Sequence, residues 1–328
     1  MKNFTRLFFL CIFLFCISGL LVNCGKTASN NKVYFGAPLE LKDKVLSGAG
    51  QSEDGFDNYV AVVGEGCEPS IYMLYCALQT DPTERLQRSK AIMDKYNWPV
   101  IPQIGLSMTH DGKPEEHYEH LVAQGVYDEN IDKFINVLRE WNRPTFVRIG
   151  FEFNGDWNGY EPDSYRDAFR YVTNKLRAAK LDSVAIVWCY GYPHGVERYN
   201  YMLYYPGDEY VDWWGVDLFT PDELVHPQVL EFMEKSLEHK KPLIIGESTA
   251  KYVGTLGGQE SWDKWFVRYF EIIRDQPNLK AFSYINWDWT TRPYWADWGD
   301  CRIEMNETVS RLYREEMKNP IYKHGGLY

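Results

Sequence analysis

The chain has 328 residues, and its 46 Asp and Glu outnumber 35 Lys and Arg to leave a formal net charge of −11. That balance argues against nucleic acid or an anionic lipid surface as a partner, since both are bound through basic patches. Aromatic side chains make up 16 % of the residues, with 12 Trp and 24 Tyr, a stock of flat amphipathic rings that suits either a large core or the apolar face of a sugar.

Residues 1–23 read as an export signal. Lys2 and Arg6 precede an apolar run from Leu7 to Phe15 that continues to Val22, and Cys24 follows. The run is short and lies at the terminus, which fits a signal peptide better than a spanning helix. The sequence LLVNC resembles a lipobox, which implies cleavage before Cys24 and a lipid on that residue; an ordinary secretory signal with an incidental cysteine is the alternative. Either way the chain is expected to be exported, and with the lipid it is a membrane-anchored lipoprotein of the periplasm or cell surface. Residues 24–32 are a small, polar tether, and residues 33–328 carry no linker that would divide them.

Four cysteines remain beyond the tether: Cys67, Cys76, Cys189 and Cys301. Cys67 and Cys76 are a candidate pair in an oxidising compartment. His117 and His120, one helical turn apart in EEHYEH, read as solvated side chains. No metal spacing, Walker loop, GxGxxG or GxSxG occurs, so no metal and no organic cofactor are expected.

Short apolar runs recur along the rest of the chain. They begin at Val33 (VYFGAP), Ser70 (SIYMLYCAL), Pro99 (PVIPQIGL), Thr145 (TFVRIGFEF), Val184 (VAIVWCYGY), Val211 (VDWWGVDLF), Pro242 (PLIIGES) and Leu279 (LKAFSYINW). Amphipathic stretches lie between them: PTERLQRSKAIMDKY, ENIDKFINVLREW, DSYRDAFRYVTNKLRAA, PQVLEFMEKSLEHKK and SWDKWFVRYFEIIRD. Asp81-Pro82 and Pro162-Asp163 are helix-start signals. The spacing of about 35 residues is that of a βαβ repeat, and continuous apolar strands alternating with helices predict a parallel sheet covered by helices. Eight such units in one chain predict a single α/β domain, a (β/α)8 TIM barrel.

In such a barrel the chemistry sits at the C-terminal ends of the strands. Glu152 ends the fourth run and Glu247 the seventh, across the mouth from each other. Cleavage of a glycosidic bond needs such a pair: one carboxylic acid to protonate the leaving oxygen and one carboxylate on the other side of the anomeric carbon. Glu152, between Phe151 and Phe153, is placed for a desolvated acid. Glu247, followed by Ser248 and Thr249, is placed for a carboxylate kept ionised by hydroxyls or amides. A structural carboxylate paired with a cation, such as Arg148 for Glu152, is the plain alternative for either one.

Four stretches give the chain a likeness: VRIGFEFNGDWNGY with the downstream YRDAFRYV, then VAIVWCY, YYPGDEYVDWWGVDLF and KPLIIGEST. With the Trp-rich end of the eighth run they resemble clan A glycoside hydrolases, most closely family 26, the family of β-mannanases. The resemblance implies a retaining mechanism with Glu152 as acid/base and Glu247 as nucleophile. Two positions depart from that pattern. Phe151 stands where many members have His, and Phe219 where the family commonly has a Tyr near the nucleophile, so a β-glucan or β-xylan is as open as mannan. Arg148, Asn154, Trp157, Tyr190, Asp217 and Trp287 are the expected substrate contacts, with Asp156 and Tyr160 on the same rim. Trp289, Trp295 and Trp298 complete an aromatic platform in NWDWTTRPYWADWGD. The expected partner is a polysaccharide or oligosaccharide, cut within the chain. The alternatives are a non-catalytic glycan-binding lipoprotein on a degenerate barrel, and transglycosylation by the same residues.

Overall fold

Eight parallel strands close into a ring in the computed structural model, which describes residues 32–110, 113–192 and 200–328. Residues 1–31, which include the expected export signal and Cys24, lie outside the described residues. Strand β1 comprises Val45–Leu46 and Gly48–Gly50, followed by β2 (Ile71–Ala77), β3 (Ile101–Ser107) and β4 (Thr145–Ile149). Then come β5 (Val184–Gly191), β6 (Trp213–Leu218), β7 (Leu243–Ser248), and β8, made of Leu279–Phe282 and Tyr284–Ile285. β1 pairs with β2 through Gly48 and Ile71, and with β8 through Leu46–Ala281 and Ala49–Tyr284, so the ring has no free edge. A ninth short strand, β9 (Tyr322–Lys323), lies parallel beside the start of β1. This is the (β/α)8 barrel that the strand count predicts.

The first strand is not where the hydrophobic pattern puts it. The run at Val33 forms no strand; Gly36 takes a left-handed φ of 80° and the Glu40 carboxylate binds the backbone N–H groups of Phe35 and Ala37. This segment closes the bottom of the barrel instead. Ala37, Leu39 and Leu41 pack under an interior layer containing Leu46, Ile71, Ile101, Phe146, Trp213 and Ile244, and the Trp213 indole donates to the Pro38 carbonyl at 2.7 Å. Each side chain buried there contributes roughly 1.5–3 kcal/mol. The true β1, VLSGAG, is inconspicuous because it is half serine and glycine. Its composition has a reason at Gly48, where a Cβ would lie 2.7 Å from both the Ile71 Cβ and the Ser283 Oγ.

The helices lie outside the ring: α1 (Glu53–Val63), α2 (Thr83–Met93), α3 (Glu119–Ala123), α4 (Asp128–Trp141), α5 (Pro162–Ala178) and α6 (Pro227–Glu238). They are completed by α7 (Gln259–Ser261), a π-turn at Trp262–Phe266, α8 (Val267–Asp275) and α9 (Glu307–Met317). In α4, Ile131, Phe134, Ile135, Leu138 and Trp141 repeat at helical spacing and face the strands. Asn142 ends it in the left-handed conformation, donating its N–H to the Leu138 carbonyl. α5 starts at Pro162, whose missing N–H costs nothing in the first turn. The buried Glu119 carboxylate fixes that start by accepting from the Glu161 N–H and the Ser164 hydroxyl. Cys67 and Cys76, the candidate pair, are both free thiols, as are Cys189 and Cys301. Among the described residues no helix is long and apolar enough to cross a membrane.

Candidate active site

Alternation along the strands decides what faces the barrel axis. In β4 the inward positions are Phe146 and Arg148, while Val147 and Ile149 face the helices. Arg148 is thereby delivered to the centre of the barrel and is fully buried. Its Nη1 lies 3.1 and 3.0 Å from the two oxygens of Asp217 on β6, and its Nη2 lies 2.6 Å from the Glu247 Oε1 on β7. Arg148 and Asp217 are thus an ion pair at 0 % exposure, not surfaces for substrate. The Cys189 thiol adds a contact to Asp217 at 3.3 Å. Gly246 makes this arrangement possible, because a Cβ there would meet Arg148 Nη1 at 2.6 Å and Asp217 Oδ1 at 2.7 Å.

Glu247 reaches the same centre by a break in the strand pattern. Simple alternation from Ile245, which packs on the helices, puts Glu247 on the outer face. The pairing of β6 with β7 slips between Val216–Ile245 and Leu218–Ser248, leaving one extra residue on β7. Such a bulge re-aims a side chain, and here it sends Glu247 inward while Ser248 turns out to the Tyr269 hydroxyl at 2.7 Å. Ser248 and Thr249 do not hold Glu247, as the sequence suggests; the Thr249 hydroxyl donates to the Ile285 carbonyl. Arg148 holds it, and Tyr75, the inward residue near the end of β2, stands near enough for the charge of Glu247 to add to burial in raising the phenol's pKa; the nearest partner of its hydroxyl is the Met73 sulfur at 3.8 Å.

Glu152 stands just past the end of β4. Its φ is +50°, and Gly150 two residues earlier is at +54°, so the chain leaves the strand through two left-handed residues. For a residue with a Cβ that conformation costs of order 1–3 kcal/mol, and the loop is fastened firmly enough to hold it. Asn154, expected at the rim, is buried as a clamp on the end of β5, giving its Nδ2 to the Gly191 carbonyl at 2.5 Å and taking the Gly191 N–H at 3.1 Å. Asn158 donates to the carbonyls of both Phe151 and Glu152 at 3.0 Å. Gly191 lies beneath the acid, and a Cβ there would sit 2.9 Å from the Glu152 Cβ.

The pKa of Glu152 is pushed well above the carboxylic range, first by burial and then by the charges of Glu247 and Asp217; the Trp157 N–H and Arg148 oppose the shift. Asp217 is raised too, again chiefly by burial, with Arg148 pulling it back. Trp157, expected as a stacking platform, donates its indole N–H to the Glu152 Oε2 at 2.7 Å while remaining 39 % exposed. Gly155 lets the indole fold back, since a Cβ there would collide with the ring at 2.3 Å.

The other expected contacts divide between cleft and core. Tyr190 is fully buried on the outer face of β5, stacked on Phe232 at 4.7 Å, because Val187 and Cys189 take the inward positions. Tyr160 is buried, its hydroxyl accepting from the Met108 N–H at 2.8 Å, whereas Asp156 is exposed. Trp287 is half-buried beside Trp289, ring centroids 5.0 Å apart, and the Arg292 guanidinium covers it at 4.4 Å. Trp298 continues the cluster at 4.6 Å from Trp289 and carries the Lys251 ammonium at 4.1 Å. Phe219 packs on Trp298 at 5.4 Å and offers no hydroxyl to Glu247. Ligand atoms of His117, Glu119 and His120 lie within 4.8 Å of one another. Glu119 is already committed to capping α5 and to His117 at 2.8 Å, which leaves a metal little to bind.

A raised carboxylic acid and a guanidinium-held carboxylate thus share one barrel mouth. Residues 101–241 match glycosyl hydrolase family 26. The matched region holds Glu152 and ends six residues before Glu247. The chain is 28 % identical over 316 residues to "Beta-1,3-xylanase TXYA" of Vibrio sp, covering 88 % of this chain and 65 % of that one. It is 30 % identical over 226 residues to "Beta-1,3-xylanase" of Alcaligenes sp, covering 61 % of this chain and 48 % of the other. The chain therefore spans less than two thirds of the length of these relatives. Among solved structures, the Bacillus subtilis mannanase man26 has a similar fold, with a TM-score of 0.57 and 19 % identity over 83 % of this chain and 85 % of that one.

Proposed function

We propose that the chain is a retaining glycoside hydrolase that cuts within a β-glycan, with β-1,3-xylan as the first substrate to try. The observation that carries this reading is the contrast between the two carboxyls. Glu152 has no cation in direct contact, and burial and the charge of Glu247 keep it protonated. Glu247 accepts from Arg148 at 2.6 Å and is ready to attack. In the first step the Glu247 carboxylate bonds to the anomeric carbon while the Glu152 proton passes to the departing oxygen. Glycosylation removes the charge of Glu247 and with it one cause of the high pKa of Glu152. Glu152 then ionises more readily and takes the proton of the water that frees the sugar. The Trp157 indole donates to Glu152 Oε2, which leaves Oε1 to carry the travelling proton.

The polymer follows the relatives named β-1,3-xylanases, whose likeness to this chain exceeds that of the mannanase structure. The test is reducing-sugar release from β-1,3-xylan, β-1,4-xylan, β-mannan and β-glucan by the purified protein and by Glu247→Ala. Release from one polymer that disappears in the variant, with the β-anomer formed first by NMR, supports the reading. Undiminished binding with no release from any polymer would instead favour a binding protein. Lipid attachment at Cys24 is proposed on the sequence alone, and incorporation of labelled palmitate that is lost in Cys24→Ala tests it.

A further inference from the structure

A hydroxyl stands near Glu247 from an unexpected strand. Ile71, Met73 and Tyr75 alternate on β2, so Tyr75 lies in the inward layer nearest the mouth. Its ring packs against Phe151 at 5.3 Å and 45°, which ties β2 to the residue just before the acid. Both rings occupy space left by Gly105 on β3, where a Cβ would lie 2.8 Å from Tyr75 and 3.0 Å from Phe151. The Tyr75 oxygen sits 3.8 Å from the Met73 sulfur, which is 3.9 Å from the Arg148 Nη2 that in turn holds Glu247. Ser248, Thr249 and Phe219 give Glu247 no hydroxyl.

We propose that Tyr75 is the positioning residue of the nucleophile, its hydroxyl fixing the Glu247 carboxylate that Arg148 holds from below. Burial and the negative charge of Glu247 push the Tyr75 pKa well up, so the phenol keeps its proton and donates. Two donors from different strands fix the plane of a carboxylate that one donor leaves free to turn. The Tyr75–Phe151 pair also closes the Arg148 pocket to water, which strengthens the ion pair beneath it.

This inference rests on the glycosidase reading, and the experiment separates the two. The Glu247 carboxyl is followed by ¹³C NMR titration in wild type and Tyr75→Phe, its signal assigned by its absence in Glu247→Gln. Loss of a hydrogen bond to a charged acceptor is expected to raise the midpoint by about one pH unit. In the same variant kcat is expected to fall about ten-fold with KM little changed, and the acidic limb of the rate profile to move up with the midpoint. An unchanged midpoint in a variant that melts like wild type overturns the assignment. A wild type that cleaves no glycan refutes the glycosidase reading, while the titration still decides the contact.

Discussion

Replacing Arg148 by Met should be the most damaging single change in the barrel interior. The guanidinium contacts Asp217 at 3.0 Å and Glu247 at 2.6 Å, and both Arg148 and Asp217 are fully buried. Met fills much of the space but leaves Asp217 with no cation. The folded variant then has to keep Asp217 protonated. From an unfolded pKa near 3.9, holding it neutral at pH 7 costs about 4 kcal/mol at 1.36 kcal/mol per pH unit; burial already raises Asp217 in wild type, where Arg148 pulls it back, so the deficit of the variant is the part of that cost that Arg148 relieves, with about 4 kcal/mol as its ceiling. The sign follows from the raised folded pKa: the stability of the variant is intact below the unfolded pKa and is lost as pH rises. The ceiling on the deficit relative to wild type should therefore shrink to about 1.5 kcal/mol at pH 5. Denaturant unfolding of both proteins at pH 5 and pH 7 measures it. No deficit at pH 7, or one that does not change with pH, would show that Arg148 does not neutralise this centre.

Three further changes probe the acid. Glu152→Gln should lower the rate roughly 10²–10⁴-fold, as for loss of a general acid. It should also stabilise the fold increasingly as pH rises through the high pKa of Glu152, since wild type loses stability there and Gln does not titrate; a flat difference in melting temperature across pH 5 to 9 would contradict the shift. Trp157→Phe removes a donor to the Glu152 carboxylate, so the basic limb of kcat/KM should move to higher pH, by less than about one unit for a bond at a partly exposed site. Gly191→Ala places a methyl 2.9 Å from Glu152, and kcat should drop at least about ten-fold by displacement of the acid, with far-UV circular dichroism unchanged.

How far the sequence reveals this molecule depends on which regularity each element obeys. Strands two to eight are continuous apolar runs and are legible as such, and α2, α4, α5, α6 and α8 show helical spacing. β1 escaped because three of its six residues are Ser47, Gly48 and Gly50, chosen for close approach rather than apolarity. The more apolar Val33 run took its place in the count, so the fourth and seventh strands were still assigned correctly. Glu152 and Glu247 are legible as strand-end carboxylates. Tyr190 was misplaced although alternation with Val187 and Cys189 was there to be read. Arg148 and Asp217 look like substrate contacts in sequence and prove to be each other's partners, which only the distance between β4 and β6 reveals. Tyr75 was missed because nothing local separates it from the other tyrosines of the β-strands. The bulge that turns Glu247 inward leaves one trace, Gly246, whose role depends on side chains from two other strands.

The proposed division of labour between the two glutamates follows from burial together with a count of charges around one guanidinium. Asp217 and Glu247 both touch Arg148, so with both ionised the centre already holds one negative charge in excess. Glu152 has only the neutral Trp157 donor. A third charge there would be opposed by both carboxylates in a site of low dielectric, so Glu152 is the group that keeps a proton. Burial is the first cause of the raised pKa of Glu152, and this charge count adds to it; of the flanking phenylalanines that suggest desolvation in sequence, Phe153 turns away to stack on Trp188 at 4.3 Å. In the proposed mechanism the same count favours the second half of the reaction. Once Glu247 is esterified in that mechanism the excess negative charge is gone, and Glu152 ionises beside the intermediate against less repulsion. Acid and base are then one residue in two charge environments, and the switch between them is the covalent bond on Glu247.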